Sequence, residues 1–382
     1  MTHKIIILGG GLVGGPMALD LAKEEEFQVT VADNNKEGLQ KLADGSRIKP
    51  IQMDLSFPEE VSQLVSSYDM VINAVPGFMG FRTLKAIIEA GKNVVDIAFF
   101  IEDPFELDQL AKEKNVTAIM DCGVAPGMCN VLIGFADHLL DETDKVAYYV
   151  GGLPQVREWP YEYKAGFSPI DVIEEYTRPA RLVENGKIVV KPALSDAELM
   201  NFPGIGTLEA FNSDGLRSLI YTIKAPNMKE KTLRYPGHID KMKLLRETGF
   251  FSQEFVEVNG KQIRPIDLTS KLLFPKWKLK EGEVDITIMK VIVEGKKDGK
   301  RMRYTYDLFD TYDPVTRIHS MARTTGYTAT VALRMIARGI YSHKGITVPE
   351  FLGNKQECVN FLLAGLKERG VNYRESIKRF DD

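Results

Sequence analysis

Only three cysteines, Cys122, Cys129 and Cys358, occur in the 382 residues. They cannot all pair, neither Cys122 nor Cys129 forms a C-x-x-C, and neither lies near a His cluster. This excludes a disulfide scaffold and gives no metal motif, as expected of a chain kept in a reducing cytoplasm. An excess of one charge is also missing: 49 Lys and Arg against 53 Asp and Glu leave a formal net charge of -4, with no basic tail. Nucleic acid is therefore not an expected partner. Long apolar runs are absent as well. The run Ile5 to Leu8 is short and leads into glycines rather than a cleavage pattern, and nothing approaches the roughly 18 apolar residues that span a bilayer. The expectation is a soluble, cytoplasmic protein that is neither exported nor bound to a membrane. Internal repeats, low-complexity tracts and long flexible linkers are missing too.

What remains is a chain longer than one compact core usually accommodates, which predicts two domains. The first 140 or so residues alternate short apolar runs with helical patterns, as parallel strands joined by crossover helices do. Strands are predicted at Lys4 to Leu8, Val29 to Asp33, Arg47 to Asp54, Met70 to Ala74, Asn93 to Asp96 and Val116 to Met120. Met17 to Lys23, Pro58 to Ser66 and Thr83 to Ala90 carry apolar residues at helical spacing. From Val146 the pattern changes to that of an antiparallel α+β domain. Its predicted strands are Thr207 to Phe211, Ser218 to Lys224, Lys231 to Tyr235, Val284 to Glu294 and Arg301 to Tyr312. Helical patterns return at Gly326 to Ile340 and Lys355 to Glu368, and this tail is expected to pack back on the first domain. The predicted fold is α/β: a doubly wound parallel (Rossmann) sheet formed by 1–141 plus 320–382, and an α+β substrate and dimerisation domain formed by 142–319. A homodimer or higher homo-oligomer is the expected assembly.

Gly9, Gly11 and Gly14 form a G-x-G-x-x-G run that follows an apolar strand, opens a helix and is answered by Asp33 at the end of the next strand. In that setting the first glycine permits a tight turn, the second lets the backbone approach a pyrophosphate, and the third lets helix and strand pack closely. The amides near Leu12 and Val13 would face the phosphates. Asp33 is placed to accept hydrogen bonds from both adenosine ribose hydroxyls. A 2′-phosphate would oppose its charge, and Asn34 and Asn35 supply no arginine, so the expected cofactor is NAD. Lys36 is the nearest cation. Asp54 either accepts from the adenine amino group or is a turn carboxylate. Asn73, Ala74 and Val75, before Pro76 and Gly77, lie at the carboxyl edge of the sheet where a dinucleotide crosses, and their small bulk leaves space for the nicotinamide ribose.

The stretches Asp121-Cys-Gly-Val-Ala-Pro-Gly127, Tyr148-Tyr-Val-Gly-Gly-Leu-Pro154, Gly206-Thr-Leu-Glu-Ala-Phe211 and Arg234-Tyr-Pro-Gly-His238 resemble the saccharopine dehydrogenase-like family, and within it most closely the L-lysine 6-dehydrogenases. With the glycine fingerprint and the Gly345 to Glu350 stretch, the resemblance spans nearly the whole chain. Saccharopine-forming members tend to carry an acidic residue before the Pro-Gly and an Asn-Arg-Asp-Ser run after the Leu-Glu segment. Here those positions are Ala125 and Asn212-Ser213-Asp214-Gly215, and Ser213 cannot make the bidentate pair an arginine makes with a carboxylate. A smaller substrate is favoured, although Arg217 or Arg234 can compensate.

The resemblance implies NAD-dependent oxidative deamination of L-lysine at the ε-carbon, giving an aldehyde that cyclises. Alternatives are a reductive condensation of amine and carbonyl compound, of the saccharopine or carboxyspermidine type, and a non-catalytic NAD-binding sensor. His238 is the expected general base, because imidazole titrates near neutrality and sits in a family stretch. Asp121 either orients the substrate amine or nicotinamide amide, or caps the helix expected near Pro126. Tyr163, Arg234 and Lys241 are candidates for holding the α-carboxylate, or are ordinary polar residues. Glu209 either pairs with a substrate ammonium or is a strand-edge carboxylate. Cys122 and Cys129 are read as small buried apolar groups, since imine chemistry needs no thiol nucleophile.

Overall fold

The structure, a computed structural model, describes residues 2–280 and 282–380. The chain divides into two compact units: residues up to Leu139 with Ala322–Tyr373, and Leu140–Met321 with the segment from Arg374 onward. Among the described residues no helix is long and apolar enough to cross a membrane.

The chain opens with β1 (His3–Leu8), α1 (Gly14–Leu21), β2 (Phe27–Asp33), α2 (Lys36–Ala43), β3 (Lys49–Gln52), α3 (Pro58–Val65), β4 (Met70–Asn73), α4 (Gly77–Glu89), β5 (Asn93–Asp96), α5 (Asp108–Glu113), β6 (Thr117–Ile119) and α6 (Met128–Leu139). The run Ile5 to Leu8 is wholly buried, as a strand covered by helices on both faces must be.

In the second unit, β7 (Glu142–Pro154), α7 (Pro169–Thr177), β8 (Ala180–Glu184), β9 (Lys187–Lys191), β10 (Glu198–Phe202), β11 (Gly206–Asn212), α8 (Leu219–Thr222), β12 (Asn227–Arg234) and α9 (His238–Glu247) come first. The hairpin β13 (Val256–Val258) and β14 (Lys261–Ile263), then α10 (Pro265–Trp277), β15 (Asp285–Lys297) and β16 (Lys300–Thr311) follow. The predicted strand at Ser218 to Lys224 is corrected to the single helical turn α8. Leu219, Tyr221 and Ile223 alternate as a strand would, but the adjacent Leu219 and Ile220 are both buried while Tyr221 is exposed. The Thr222 hydroxyl donates back to the Ser218 carbonyl at 3.0 Å, closing the turn.

The tail forms α11 (Ser320–Ala337), β17 (Gly345–Thr347), α12 (Pro349–Gly353), α13 (Gln356–Glu368) and β18 (Tyr373–Phe380). Helix α11 begins six residues before the predicted Gly326. The Asp285 carboxylate accepts the amides of Ser320 and Met321 at 2.7 and 3.1 Å, which satisfies first-turn donors and lets the helix start there. Strand β17 pairs in parallel with β6, completing a seven-stranded sheet in the order β17, β6, β5, β4, β1, β2, β3. Its direction of winding reverses between β1 and β4, the switch point where such sheets bind ligands. The second unit builds a nine-stranded mixed sheet in the order β10, β11, β12, β7, β15, β16, β18, with β8 pairing β12 and β9.

Within the first unit, the tail is bound to α1 by a buried ion network. Asp20 accepts from Arg334 (2.8 Å), Thr330 (2.6 Å) and Arg369 (2.8 Å). Burial alone would push the Asp20 carboxyl up, but Arg334 and Arg369 hold it below its ordinary value. Gly326 of α11 is the close approach: a Cβ there would lie 2.9 Å from Met17 Cγ.

Candidate active site

The loop between β1 and α1 lies at the switch point. Gly9 has φ +100°, a conformation that favours glycine, and a Cβ on it would come 2.6 Å from the Ala74 carbonyl. A Cβ on Gly14 would come 1.9 Å from the Gly9 carbonyl, so helix and loop can approach this closely only without one. Around Gly11, by contrast, an added Cβ meets nothing within 4 Å. Helix α1 has neither a side-chain cap nor an acidic residue in its first turn. Gly15 and Met17 already donate to the Gly11 and Val13 carbonyls at 3.0 and 3.1 Å, and Pro16 has no N–H; the amides of Leu12, Val13 and Gly14 lie ahead of these at the positive end of the dipole. An open glycine cradle beside uncapped amides fits the pyrophosphate of a dinucleotide.

Asp33 ends β2 half-buried, its Oδ2 accepting the Gly10 amide at 2.7 Å and its Oδ1 the Asn35 amide at 2.8 Å. Spare lone pairs remain on both oxygens. Asp54 lies beyond β3 in an exposed turn, where its Oδ1 accepts the Ser56 amide at 2.9 Å, a bond that holds the carboxyl below its ordinary value. Asn73 is fully buried, and its side-chain amide donates to Asp96 Oδ2 at 2.6 Å; that side chain braces β4 against β5. The Ala74 amide donates to the Leu8 carbonyl at 2.9 Å. Val75 is buried too. Asp121 is buried at the end of β6 with φ +49°, a sparsely populated conformation for a non-glycine residue. Because α6 starts only at Met128, Asp121 is not the cap of a helix near Pro126. Cys122 is buried and its thiol is pushed far up by burial; Cys129 is buried as well.

In the second unit the structure brings Tyr163, Arg234 and His238 together and adds residues that the sequence did not mark. One face of β12 carries Glu230, Thr232 and Arg234 at the two-residue repeat of a strand, all buried. Arg234 donates from Nε to the Tyr176 hydroxyl at 3.1 Å, from NH1 to the Leu233 carbonyl at 3.0 Å and from NH2 to Glu175 at 2.5 Å. Its guanidinium lies 4.5 Å from the Tyr163 ring centroid. His238 Nδ1 is 2.8 Å from the Tyr161 carbonyl and Nε2 is 3.0 Å from the Tyr176 hydroxyl. A carbonyl only accepts, so Nδ1 carries the proton, Tyr176 donates to Nε2, and the tautomer is fixed. Trp277 packs edge-on against Tyr161, Tyr163 and Tyr176.

This geometry corrects the general-base role expected of His238. Burial, with Arg234 and Lys241 adding positive charge, lowers its pKa to about 3, and Tyr176 occupies the nitrogen that would take a proton. Near neutral pH the ring is therefore uncharged, with both nitrogens engaged by Tyr161 and Tyr176. Tyr163 and Arg234 are buried in the same cluster. Lys241 is half-buried, 5.2 Å from the exposed Trp159 ring. Glu209 Oε2 accepts the Gly237 amide at 3.1 Å, bracing the turn with φ +87° that leads into α9.

Ser213 donates to Glu230 Oε2 at 2.7 Å and lies 2.7 Å from the Thr232 hydroxyl. Burial, with Glu175 and Asp214 adding negative charge, pushes the Glu230 carboxyl up to about 8. The sequence reading missed Glu175, Tyr176 and Trp277 because α7 and α10 were not recognised, and Glu230 because it lies just before the predicted strand Lys231 to Tyr235. The signal for α7 was present: Pro169 in the first turn, with Val172, Ile173 and Tyr176 at helical spacing.

Comparison with known proteins agrees with this architecture. Residues 5–119 match the saccharopine dehydrogenase NADP binding domain and residues 123–371 the saccharopine dehydrogenase C-terminal domain. The chain is 24% identical to the saccharopine dehydrogenase [NADP(+), L-glutamate-forming] of Pyricularia oryzae, with 98% of this chain and 99% of that one covered. It is 28% identical to the mitochondrial alpha-aminoadipic semialdehyde synthase of Mus musculus, covering 66% of this chain and 29% of the relative; the chain thus spans under a third of that relative's length. The solved structure of apo saccharopine dehydrogenase (L-Glu forming) from Saccharomyces cerevisiae superimposes with a TM-score of 0.80 at 19% identity, covering 98% of this chain and 100% of the other. With its glycine cradle at the switch point and both halves matched, the chain belongs to the saccharopine dehydrogenase family, its first unit corresponding to that family's NADP binding domain.

Proposed function

We propose that this protein oxidises L-lysine at the ε-carbon with NAD, releasing ammonia and leaving an aldehyde that closes on the α-amine. The observation that carries the reading is Ser213. Saccharopine-forming relatives are expected to present an arginine here, whereas this chain has a hydroxyl engaged by Glu230 and Thr232. Without that cation a bulky substrate with three carboxylates loses a bidentate partner.

The dinucleotide, held over Gly9, Gly11 and Gly14 and by Asp33, supplies the hydride acceptor. Its NAD form is favoured because the Asp33 carboxylate opposes a 2′-phosphate. The substrate amine must be neutral before hydride leaves, and Asp121, buried at the end of β6, is assigned to orient it. Arg234, Tyr176 and His238 act as a positioning network: the fixed imidazole holds the Tyr176 hydroxyl, which together with Glu175 fixes the guanidinium. Water attack on the imine then expels ammonia.

Turnover of L-lysine with NAD, with ornithine roughly a hundredfold poorer because one missing methylene displaces the reacting carbon, tests the reading. Equal or better turnover of saccharopine overturns it. A second reading, reductive condensation of an amine with a carbonyl compound, is favoured by the carboxynorspermidine synthase of Vibrio alginolyticus, 23% identical over 90% of both chains. Oxidation of NADH by an amine and an aldehyde together, with no lysine turnover, would support it.

A further inference from the structure

We propose that Asp33 positions the phosphate loop as well as reading the adenosine ribose, so that one carboxylate couples the two halves of dinucleotide recognition. The inference rests on the reading that this unit binds NAD over Gly9, Gly11 and Gly14.

The loop is tied to β2 at two successive residues. The Gly9 amide donates to the Ala32 carbonyl at 2.8 Å, and the Gly10 amide donates to Asp33 Oδ2 at 2.7 Å. Gly10 lies flat on that strand: a Cβ on it would come 2.9 Å from Val31 Cγ1 and 3.6 Å from Asp33 Cβ. Beyond this tie the chain enters open space at Gly11. The direction in which the next amides point is therefore set at Gly10, and Gly10 is held by a carboxylate. The other oxygen is fixed by the Asn35 amide at 2.8 Å. This stops the Asp33 side chain from turning away from Gly10, and Asn35 in turn caps α2 by accepting from Gly38 at 3.1 Å. A charged acceptor at this distance makes a stronger hydrogen bond than a neutral one. Replacing Asp33 to admit a 2′-phosphate thus removes repulsion and loosens the pyrophosphate grip together.

The test uses the whole protein with two probes, ADP and 2′,3′-dideoxy-ADP, the second having a pyrophosphate but no ribose hydroxyls. Affinities are measured calorimetrically for wild type, Asp33→Ser and Asp33→Asn, and hydrogen exchange at Gly9 to Gly14 is followed without nucleotide. Loss of a charge-assisted hydrogen bond should speed exchange at Gly10 roughly tenfold or more in Asp33→Ser and weaken dideoxy-ADP by a comparable factor. Asp33→Asn, which keeps one acceptor oxygen, should lie between. If Asp33→Ser weakens ADP while dideoxy-ADP affinity and loop exchange stay as in wild type, Asp33 acts on the ribose alone; the proposal fails and the NAD reading stands. Unchanged affinity for ADP overturns both.

Discussion

His238→Gln separates a buried positioning imidazole from a working base. In the folded protein the ring takes up a proton only at about 3, against 6.5 for the free group. Between those values the unfolded chain binds more protons than the native one, so stability falls as pH falls. Each pH unit in that window removes about 1.36 kcal/mol; at a pH two units below the unfolded value, the contribution lost is roughly 2.7 kcal/mol. The charged groups facing the ring are Arg234 from β12 and Lys241 from α9, and both disfavour the imidazolium. Packed around it are Tyr161, Tyr163 and Tyr176. Glutamine does not titrate. At neutral pH the variant should be less stable than wild type by about 1–3 kcal/mol, from lost hydrogen bonds and packing. That gap should shrink by roughly 2.7 kcal/mol on acidification to about pH 4.5. Urea unfolding midpoints across this range provide the assay. Parallel stability curves for the two proteins would refute the buried neutral imidazole. The acid limb of kcat/KM should also stay at the same pH in His238→Gln, since the ring is neutral throughout the working range.

Asp20→Asn takes the shared carboxylate from Arg369 and from Arg334, which is 2% exposed and keeps only the Glu24 carboxylate, at 2.7 Å. It should cost about 3–5 kcal/mol by urea unfolding at neutral pH, and a loss below about 1 kcal/mol would show that the network is not holding the tail helices. Because the folded Asp20 carboxyl lies below its ordinary value, its contribution is present above the unfolded pKa and disappears as pH falls through the folded one. Glu230 has the opposite sign: its carboxyl is pushed up to about 8, so stability is fullest below the unfolded value and declines as pH rises through the folded one. Glu230→Gln should match wild type near pH 5 and exceed it by several kcal/mol above about pH 8; a gap independent of pH would contradict the burial. Wild-type enzyme should prefer NAD over NADP by roughly a hundredfold in kcat/KM, equivalent to about 2.7 kcal/mol, and equal use of the two would remove Asp33 from the ribose.

Much of the first unit was legible because its signals are local. The buried runs Ile5 to Leu8 and Met70 to Asn73, the glycine spacing and the acidic end of β2 each identify a strand, a turn or a contact without reference to distant residues. The tie between Gly10 and Asp33 was not visible, since it joins positions 23 residues apart. In the second unit the alternation of Leu219, Tyr221 and Ile223 suggested the wrong element, because a single helical turn buries neighbours that a strand would place on opposite faces. His238 was recognised from its family stretch, but its chemistry depends on burial and on Tyr176 from α7, 62 residues away in sequence. Spacing in sequence carries no information about desolvation. The network around Arg234 therefore became readable only once β12, α7 and α9 were placed.

The most direct test of the account measures two products together: purified protein, L-lysine and NAD are mixed at alkaline pH, and NADH formation and ammonia release are followed in the same reaction. Deamination at the ε-carbon requires one ammonia for each NADH formed, with both lost when saccharopine replaces lysine. NADH formed from saccharopine without ammonia, or reduced cofactor consumed by an amine and carbonyl compound while lysine is inert, would contradict it.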